Sequence, residues 1–183
     1  KNVIVSNGYI NEEPLKELCK YIDAANIDLK SMSNKFYESN CKARLAPVLN
    51  CLKILKKENI YFEITNLIIP GMNDKNKDIE RLVKWISENL NNVVLHFSRF
   101  FPMYKLQDVK ETPIKTMEMA KKIGDKYLSY VYLGNINNES NTYCAKCKKL
   151  LIERKGYYVG RINIKNGKCS GCGSKIIGIF EKG

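Results

Sequence analysis

Two cysteine pairs with the same internal spacing stand in the last quarter of the chain. They are Cys144-x-x-Cys147 in "NTYCAKCKKL" and Cys169-x-x-Cys172 in "GKCSGCGSK". Each pair lies among lysines and glycines, which is typical of a tight turn, and four thiolates from two such turns can close a tetrahedral metal site. Zinc is the expected ion, with a rubredoxin-like iron centre or an iron–sulfur cluster as the alternative. A closed site leaves no position for substrate, so its expected role is structural.

The other three cysteines, Cys19, Cys41 and Cys51, are scattered through helix-like segments. This distribution does not match an extracellular disulfide framework and favours a reducing compartment. Free cysteine is among the residue types most often buried, so these three are expected to act as small hydrophobic side chains. Cys41 differs from the other two because it lies in the polar stretch "ESNCKAR".

The chain is basic, with 31 Lys and Arg against 19 Asp and Glu, which gives a formal charge of +12. An excess of this size favours an anionic partner such as nucleic acid, a phosphorylated metabolite or an acidic protein. The competing interpretation is that the excess reflects a biased amino-acid composition, with the lysines exposed to solvent and bound to no partner. No stretch has the length and apolar character of a membrane span or a secretory signal, so a soluble cytoplasmic protein without a membrane partner is expected.

Before residue 136, apolar β-type runs alternate with amphipathic helical patterns. The predicted strands are 2–6, 24–30, 61–69, 93–98 and 129–134, and the predicted helices are 12–22, 44–58, 74–90 and 112–127. Such alternation predicts parallel strands joined by crossover helices. The strands read as near-continuous apolar runs, which predicts a sheet buried on both faces. Composition leaves a barrel and an open sheet both possible.

Polar residues gather where these strands end, which is where ligands bind in βα architectures. Asp28 and Lys30 occupy alternate positions, so the carboxylate and the ammonium are expected side by side. Such a pair can bind the amino and carboxylate groups of an amino acid, or it can be a structural ion pair.

Other polar residues receive simpler interpretations. The stretch "PGMND" predicts a glycine turn, with Asn73 or Asp74 capping the next helix. Glu63 and Thr65 share one strand face and line either an internal pocket or the wetter face of an edge strand. His96 is the only histidine in the chain and is interpreted as a hydrogen-bonded interior residue. No nucleophile elbow is present, which argues against hydrolase chemistry.

The ordered set "VSNGYI", "ANIDLKS", "ITNLIIPGMND" and "LHFSRFFPMYKL" resembles the later strands of radical S-adenosylmethionine (SAM) enzymes of the pyruvate formate-lyase activating type. With "VYLGN", "NTYC" and the two cysteine pairs included, the chain is similar to the radical SAM proteins of the AmmeMemoRadiSam system. Each motif is weak by itself, whereas their order along the whole chain is specific.

The resemblance implies an α/β fold: the C-terminal part of a partial (β/α)6 radical SAM barrel over residues 1–136, followed by a small β-rich zinc ribbon over 137–183. It implies a barrel mouth that binds SAM beside a [4Fe–4S] cluster, which cleaves SAM reductively to a radical that abstracts hydrogen from a substrate. Carried over by position, Ser6 and Asn7 face the ribose or methionine end of SAM. Asp28 and Lys30 face its methionine group, and Ser98 and Arg99 border the ribose and adenine.

Several features of the family pattern are not in this sequence. Val5 stands where the activating enzymes have a cation-binding Asp, and "GNINNESNTYC" lacks a His-containing, Gly-rich stretch. The C-x-x-x-C-x-x-C loop that holds the cluster and the Gly-Gly-Glu segment that binds the SAM amino group are also missing. We therefore expect the C-terminal part of a longer enzyme that is inactive alone. Its substrate is undefined, and a protein substrate or partner proteins of the same system are candidates.

A binding module is the alternative function. The segment between the cysteine pairs predicts a hairpin around Gly156, with Tyr157 and Tyr158 beside basic residues. That mixture permits stacking and phosphate contacts with nucleic acid, and recruitment of a protein is also possible. Nucleic acid is not favoured at this point, because basic zinc ribbons are common.

Overall fold

The structure is a computed structural model that describes residues 1–136, 140–156 and 158–180. The chain divides into two compact units, Lys1–Asn135 and a second unit that begins at Ile136. Tyr157 and the ends of the predicted 137–183 module lie outside the described residues.

The first unit is built on a five-stranded parallel sheet in which the strand order follows the chain. Its strands are β1 (Val3–Ser6), β2 (Ala24–Asp28), β3 (Tyr61–Ile68), β4 (Val94–Arg99) and β5 (Val131–Gly134). Its helices are α1 (Glu12–Cys19), the short α2 (Asn34–Phe36), α3 (Leu45–Lys57), α4 (Asn76–Asn89) and α5 (Ile114–Gly124). A π-helical turn spans Tyr37–Cys41 and a 3-10 turn spans Tyr104–Leu106. The predicted alternation and parallel pairing are confirmed.

Sequential strand order places the crossover helices together on one side of the sheet. A right-handed connection between neighbouring parallel strands puts its helix on a fixed face, so repeating the same step keeps every helix on that face. The helices bury their apolar stripes there, and α4 illustrates the pattern, since Ile79, Leu82, Val83 and Ile86 are all buried. Leu90, which follows α4, is buried as well, so the predicted apolar face of this helix is confirmed.

The helices of the described chain are too short or too polar to cross a membrane.

The prediction of a sheet buried on both faces is wrong. In β3, Phe62, Ile64 and Ile68 are buried, whereas the alternate residues Glu63 and Thr65 are only half-buried. On β1, Val5 is 80% exposed. One face of the sheet packs under the helices, and the described residues leave the other face partly open and rich in polar groups.

Two of the three scattered cysteines are confirmed as core residues. Cys19 and Cys51 are buried, and burial raises the pKa of the Cys51 thiol to about 11. Cys41 is only half-buried at the end of the π-helical turn, and partial burial raises its pKa as well. All three thiols therefore remain protonated at neutral pH, as expected of packing residues rather than nucleophiles.

The second unit consists of short antiparallel strands. They are β6 (Thr142–Tyr143), β7 (Leu150–Lys155), β8 (Tyr158–Ile162), β9 (Ile164–Lys165) and β10 (Lys168–Cys169). The order β6-β7-β8 forms one sheet, and β9 and β10 form a separate hairpin. The predicted hairpin around Gly156 is confirmed: β7 pairs antiparallel with β8, and Gly156 has the positive φ of 58° that such a turn favours.

Gly8 and Gly71 provide a matched test of the first unit. Both have a left-handed backbone, with φ of +69° and +74°. A Cβ at Gly8 would lie 2.9 Å from Cγ2 of Ile27, whereas a Cβ at Gly71 would meet nothing within 4 Å. We expect Gly71→Ala to lower the free energy of unfolding by about 1–2 kcal/mol, the cost of a left-handed alanine. Gly8→Ala should lose a further ~1–3 kcal/mol from overpacking.

Urea denaturation of both variants measures the difference. Equal losses in the two variants would contradict the packing of the β1–α1 loop against β2 described above.

Candidate functional site

The pair that the sequence singled out, Asp28 and Lys30, forms a direct ion pair at the carboxyl end of β2. Nζ of Lys30 lies 2.9 Å from Oδ2 of Asp28, and each side chain is 32% exposed. Partial exposure leaves room for both charged groups to contact a ligand as well as each other. An exposed or half-exposed pair contributes little to stability, so this geometry is compatible with a binding role.

Buried amides hold the backbone that carries this ion pair. Nδ2 of Asn66 donates to the carbonyl oxygens of Leu29 (2.7 Å) and Lys30 (3.1 Å), and Nδ2 of Asn73 donates to that of Lys30 (2.7 Å). The hydroxyl of Tyr37 accepts from the Lys30 N–H at 3.1 Å. Asn66 and Asn73 are 2% and 4% exposed. Buried amides are costly unless fully bonded, so these contacts fix the end of β2 in one conformation.

The predicted helix cap at Asn73 or Asp74 is wrong. The helix α4 starts later, with Lys75 in the capping position and no side-chain capping bond. Oδ1 of Asn73 instead accepts from the Ile69 N–H at 2.7 Å, and Oδ1 of Asp74 accepts from the Gly71 N–H at 3.0 Å. Both side chains stabilise the turn after β3, because a carboxamide or carboxylate competes well for nearby backbone amides.

Ser6 and Asn7 lie at the carboxyl end of β1 and shape the loop that follows it. Oγ of Ser6 accepts from the Gly8 N–H at 3.1 Å, and Oδ1 of Asn7 accepts from the Tyr9 N–H at 2.9 Å. One oxygen of each side chain is therefore used locally. The Ser6 hydroxyl hydrogen and the Asn7 amide nitrogen remain as groups that a ligand could contact.

Ser98 and Arg99, at the end of β4, point to opposite faces of the sheet. Ser98 pairs in register with Gly134, where a Cβ would lie only 3.1 Å from its Oγ. Arg99 donates from Nε to the Thr112 carbonyl (2.7 Å) and from Nη2 to Glu111 (2.6 Å). The guanidinium of Arg99 is therefore occupied by the loop before α5, whereas Ser98 faces the open side.

The predicted residues form a row along one sheet edge rather than a single cluster. Ser6 is on β1 and Ser98 is on β4, with two strands between them. At about 4.8 Å per strand, the two ends of the row are roughly 14 Å apart. Only Asp28 and Lys30 are in direct contact. A ligand that touches the whole row must be extended along the edge.

A second polar group on the open face was only partly predicted. Oε2 of Glu63 lies 2.5 Å from Nε2 of His96, and Oε1 accepts from the Tyr61 hydroxyl at 2.6 Å. The His96 ring stacks on Tyr132 with centroids 5.5 Å apart. Burial and the bond to Glu63 raise the pKa of Tyr61, so this hydroxyl stays protonated. The edge-strand interpretation of Glu63 and Thr65 is wrong, because β3 is the central strand of the sheet, and Glu63 instead contacts His96 on the half-buried face.

Sequence reasoning missed Asn66, Tyr61 and Tyr132 as members of these networks. The available signal was a polar residue inside an apolar run, as in "ITNLII", and Tyr61 two positions before Glu63. The pairing between strands could not be read from the sequence, because it depends on the register of β3 with β4 and of β4 with β5.

His96 gives a direct test of the Glu63 contact. A carboxylate at Nε2 favours the neutral tautomer that carries its proton on Nε2, with Nδ1 as an unprotonated acceptor. Because the chain has one histidine, a long-range ¹H–¹⁵N spectrum contains a single imidazole. We expect a pyrrole-like Nε2 and a pyridine-like Nδ1 in the neutral ring.

Glu63→Gln should shift this tautomer equilibrium, and the exposed Glu88→Gln serves as the control. Identical nitrogen shifts in both variants and in the unmodified chain would contradict the contact.

The four cysteines of the second unit converge from two equivalent turns. In the first turn the Lys148 N–H donates to the Cys144 carbonyl, and in the second the Gly173 N–H donates to the Cys169 carbonyl, both at 2.9 Å. Lys148 and Gly173 each follow the second cysteine of their pair and have φ of 61° and 71°. This repeated conformation aims both thiols of each pair at the same point.

The geometry of the thiols fits a tetrahedral metal site. All four Sγ atoms lie within 4.8 Å of one another. The Cys144–Cys172 and Cys147–Cys169 sulfur distances are 3.7 and 3.6 Å. A tetrahedron with zinc–sulfur bonds of about 2.3 Å has edges of about 3.8 Å, so the donor set could hold zinc with little movement.

The local hydrogen bonds lower the pKa of two of these thiols, Cys144 and Cys172. The Cys147 N–H and the Ser174 hydroxyl lower the pKa of the Cys144 thiol to about 6. At Cys147 the Lys149 N–H lowers the pKa, but the neighbouring thiols, led by Cys172, outweigh it and raise the value to about 11. A first thiolate thus opposes ionisation of its neighbour, and a bound cation would remove that opposition.

Metal binding can be measured on the chain itself. We expect one zinc per chain under reducing conditions. Cys172→Ser should weaken zinc binding by more than roughly 100-fold, since even residues that only orient a ligand cost 10–100-fold. Competition with a chromophoric chelator measures the affinity, and elemental analysis after anaerobic purification distinguishes zinc from iron.

Cys41→Ser is the control for this measurement, because Cys41 is half-buried in the first unit. A loss of zinc in the Cys41 variant, or full retention in the Cys172 variant, would contradict the four-thiolate site.

The sequence and fold of the chain were compared with those of known proteins. No family model matches the chain. An uncharacterized protein of Methanocaldococcus jannaschii is 45% identical over 181 residues, which cover 96% of this chain and 54% of that protein. The 4-hydroxyphenylacetate decarboxylase activating enzyme of Clostridium scatologenes is 25% identical over 140 residues, covering 72% of this chain and 44% of the enzyme. The chain thus spans about half the length of the curated relatives it matches.

Solved structures share the fold of most of the chain. A domain of pyruvate-formate lyase-activating enzyme from Bacteroides vulgatus matches with a TM-score of 0.65 and 16% identity, over 73% of this chain and 81% of that domain. A radical SAM methyltransferase from Sphaerobacter thermophilus matches with a TM-score of 0.57 and 10% identity, over 71% of this chain and 40% of the methyltransferase. The chain therefore has the α/β fold found in radical SAM proteins.

Proposed function

We propose that this chain is the C-terminal part of a radical SAM enzyme, whose parallel sheet binds SAM at the carboxyl ends of its strands. The observation that carries the proposal is the half-exposed Asp28–Lys30 ion pair, 2.9 Å between charged atoms, held at that edge by buried amides. The fold shared with an activating-enzyme domain supports it.

The row of polar groups suits an elongated ligand that carries both charges. Lys30 would face the carboxylate of the methionine group and Asp28 its ammonium. Ser6 and Asn7 would lie near the ribose or methionine end, and Ser98 near the ribose and adenine. The guanidinium of Arg99 is bound by Thr112 and Glu111, so Arg99 would border the ribose and adenine through its backbone.

The residues of this chain do not suit the [4Fe–4S] cluster that radical SAM chemistry needs. Three thiolates in a C-x-x-x-C-x-x-C loop would hold it, and this sequence contains no such loop. Cys19, Cys41 and Cys51 are far apart in sequence, and two of them are buried in the core. We infer that the chain alone does not cleave SAM, and that in the whole protein other residues supply the cluster.

We further propose a reaction class and a layout for the whole protein. It would abstract hydrogen from a substrate through a 5′-deoxyadenosyl radical, as a member of the AmmeMemoRadiSam system in the cytoplasm. One matched protein is named for activating a decarboxylase, so a protein substrate is our preferred class. Residues 1–136 would be the partial barrel, and 137–183 a ribbon stabilised by zinc at Cys144, Cys147, Cys169 and Cys172.

The test is SAM cleavage by the whole protein that contains this sequence, purified without oxygen and supplied with a strong reductant. We expect 5′-deoxyadenosine from the whole protein and none from the 183-residue chain. Lys30→Met should lower the rate at subsaturating SAM by more than about 10-fold, because hydrogen bonds to charged groups contribute about 1.5–3 kcal/mol.

Lys121→Met is the matched control. Lys121 on α5 forms an ion pair of similar length, 3.0 Å, with the C-cap residue Asp125 and also donates to the Val131 carbonyl at 2.9 Å, away from the carboxyl ends of the strands. Equal effects of the two substitutions would overturn the assignment of the Asp28–Lys30 pair, and a whole protein that forms no 5′-deoxyadenosine would overturn the proposed reaction.

A further inference from the structure

The second unit carries a large excess of positive charge. Residues 136–183 contain ten Lys and Arg and three Asp and Glu, a net charge of +7, whereas residues 1–135 contain 21 and 16, a net charge of +5. In the first unit many cations form ion pairs, including those of Lys16, Lys84 and Lys121. Among the described residues of the second unit there is no ion pair, and eight of the nine described cations are exposed.

Exposed aromatic rings lie within this basic surface. Tyr158 on β8 is 69% exposed and Tyr143 on β6 is 50% exposed. The Tyr158 ring lies over Gly160, where a Cβ would come within 3.1 Å of its Cε1. A glycine at this position leaves space for the ring to lie along the strand with its other side open to solvent. Lys155 pairs with Tyr158 across the hairpin, so a cation stands beside the ring.

The two rings mark the ends of a track across the small sheet. Tyr143 pairs with Leu150 at one end of β7, and Tyr158 pairs with Lys155 at the other. Leu150 and Lys155 are five residue steps apart along β7, which is roughly 17 Å at 3.4 Å per residue. Exposed Lys155 lies between the rings on β7, and exposed Arg161 lies beside them on β8. Glu153 is also exposed here, with its Oε2 2.9 Å from where a Cβ at Gly160 would lie, whereas Arg154 is half-buried and donates to the Thr142 hydroxyl. Stacking platforms separated by cations are the arrangement that single-stranded nucleic acids need.

We propose that this basic surface of the second unit, from Tyr143 to Tyr158, binds single-stranded RNA or DNA. Phosphates are attracted by the exposed lysines and by Arg161, and unstacked bases lie on the exposed tyrosine rings. A duplex fits less well, because its bases are already stacked on each other. An acidic polypeptide would satisfy the charges and leave the rings unused. The inference is independent of SAM chemistry.

Fluorescence anisotropy on the zinc-loaded 183-residue chain tests it. The probes are a labelled oligouridylate and an oligothymidylate of about 12 nucleotides, within the site sizes of small single-strand binding domains. We expect both to bind more tightly than a duplex of equal length and to be displaced poorly by polyglutamate. Tyr158→Ala should raise the Kd by roughly 5-fold or more, the effect of losing one stacked base, while Tyr158→Phe should bind like the unmodified chain.

Tyr21→Ala is the aromatic control, because Tyr21 is 64% exposed in the first unit. Zinc content, measured for every variant, shows whether the ribbon is intact, since Tyr158 is too exposed for its loss to unfold it. A Kd for Tyr158→Ala within two-fold of that for Tyr21→Ala, with full zinc content, would overturn the proposed stacking site.

The salt dependence of oligonucleotide binding distinguishes cations of the proposed surface from cations elsewhere on the chain. Each phosphate neutralised on a single strand contributes about 0.7 to the slope of log Kd against log salt. The double variant Lys155→Gln with Arg161→Gln should lower that slope by roughly 1.4. The double variant Lys35→Gln with Lys115→Gln removes two exposed lysines of the first unit and should leave it unchanged. Equal slopes for the two double variants, or polyglutamate competing as well as the oligonucleotide, would overturn the proposal.

Discussion

The parallel pairing of consecutive strands is the constraint on which the first unit depends. Each strand of the order β1-β2-β3-β4-β5 lies beside the next one in the chain, so each connection must cross over the sheet. Since such crossovers share one hand, the helices collect on a single face. That face becomes the apolar core. The opposite face keeps Glu63, Thr65 and His96 half-buried, and every strand delivers its carboxyl end to the same edge.

Buried polar side chains give this edge its fixed shape. Asn66, Asn73 and Thr112 are almost completely removed from solvent, and each forms hydrogen bonds to backbone groups. Oγ1 of Thr112 donates to the Ile68 carbonyl at 2.6 Å and accepts from the Phe100 N–H at 3.1 Å, which joins the ends of β3 and β4. Because a buried group without a partner is costly, these contacts disfavour other loop conformations. The charged pair above them is thereby held in place before any ligand arrives.

The second unit is organised by a different principle. Among its described residues, the buried hydrophobic cluster consists of Cys144, Leu151, Cys169 and Ile176, so half of this small core consists of proposed metal ligands. An apolar core of this size cannot offset the conformational entropy of the ordered chain. A metal held by four thiolates would supply the missing free energy of folding, so the surface side chains would not be needed to stabilise the fold. The exposed lysines and tyrosines of this unit are therefore available for contacts with another molecule.

The sequence by itself determined the features that depend on local pattern. Strand and helix alternation, the buried stripe of α4, the cysteine turns and the polar character of the strand ends follow from spacing and residue type, because periodicity fixes which side chains share a face.

Tertiary structure decided what depends on register and on which face is covered. It paired Glu63 with His96 from neighbouring strands and bonded Arg99 to Thr112 and Glu111. Asn73, predicted as a possible helix cap, instead donates to the Lys30 carbonyl just after β2. It also left one face of the sheet open where the apolar runs predicted burial on both faces. Such contacts join residues far apart in sequence, and a change of one residue in strand register would exchange the faces on which they lie.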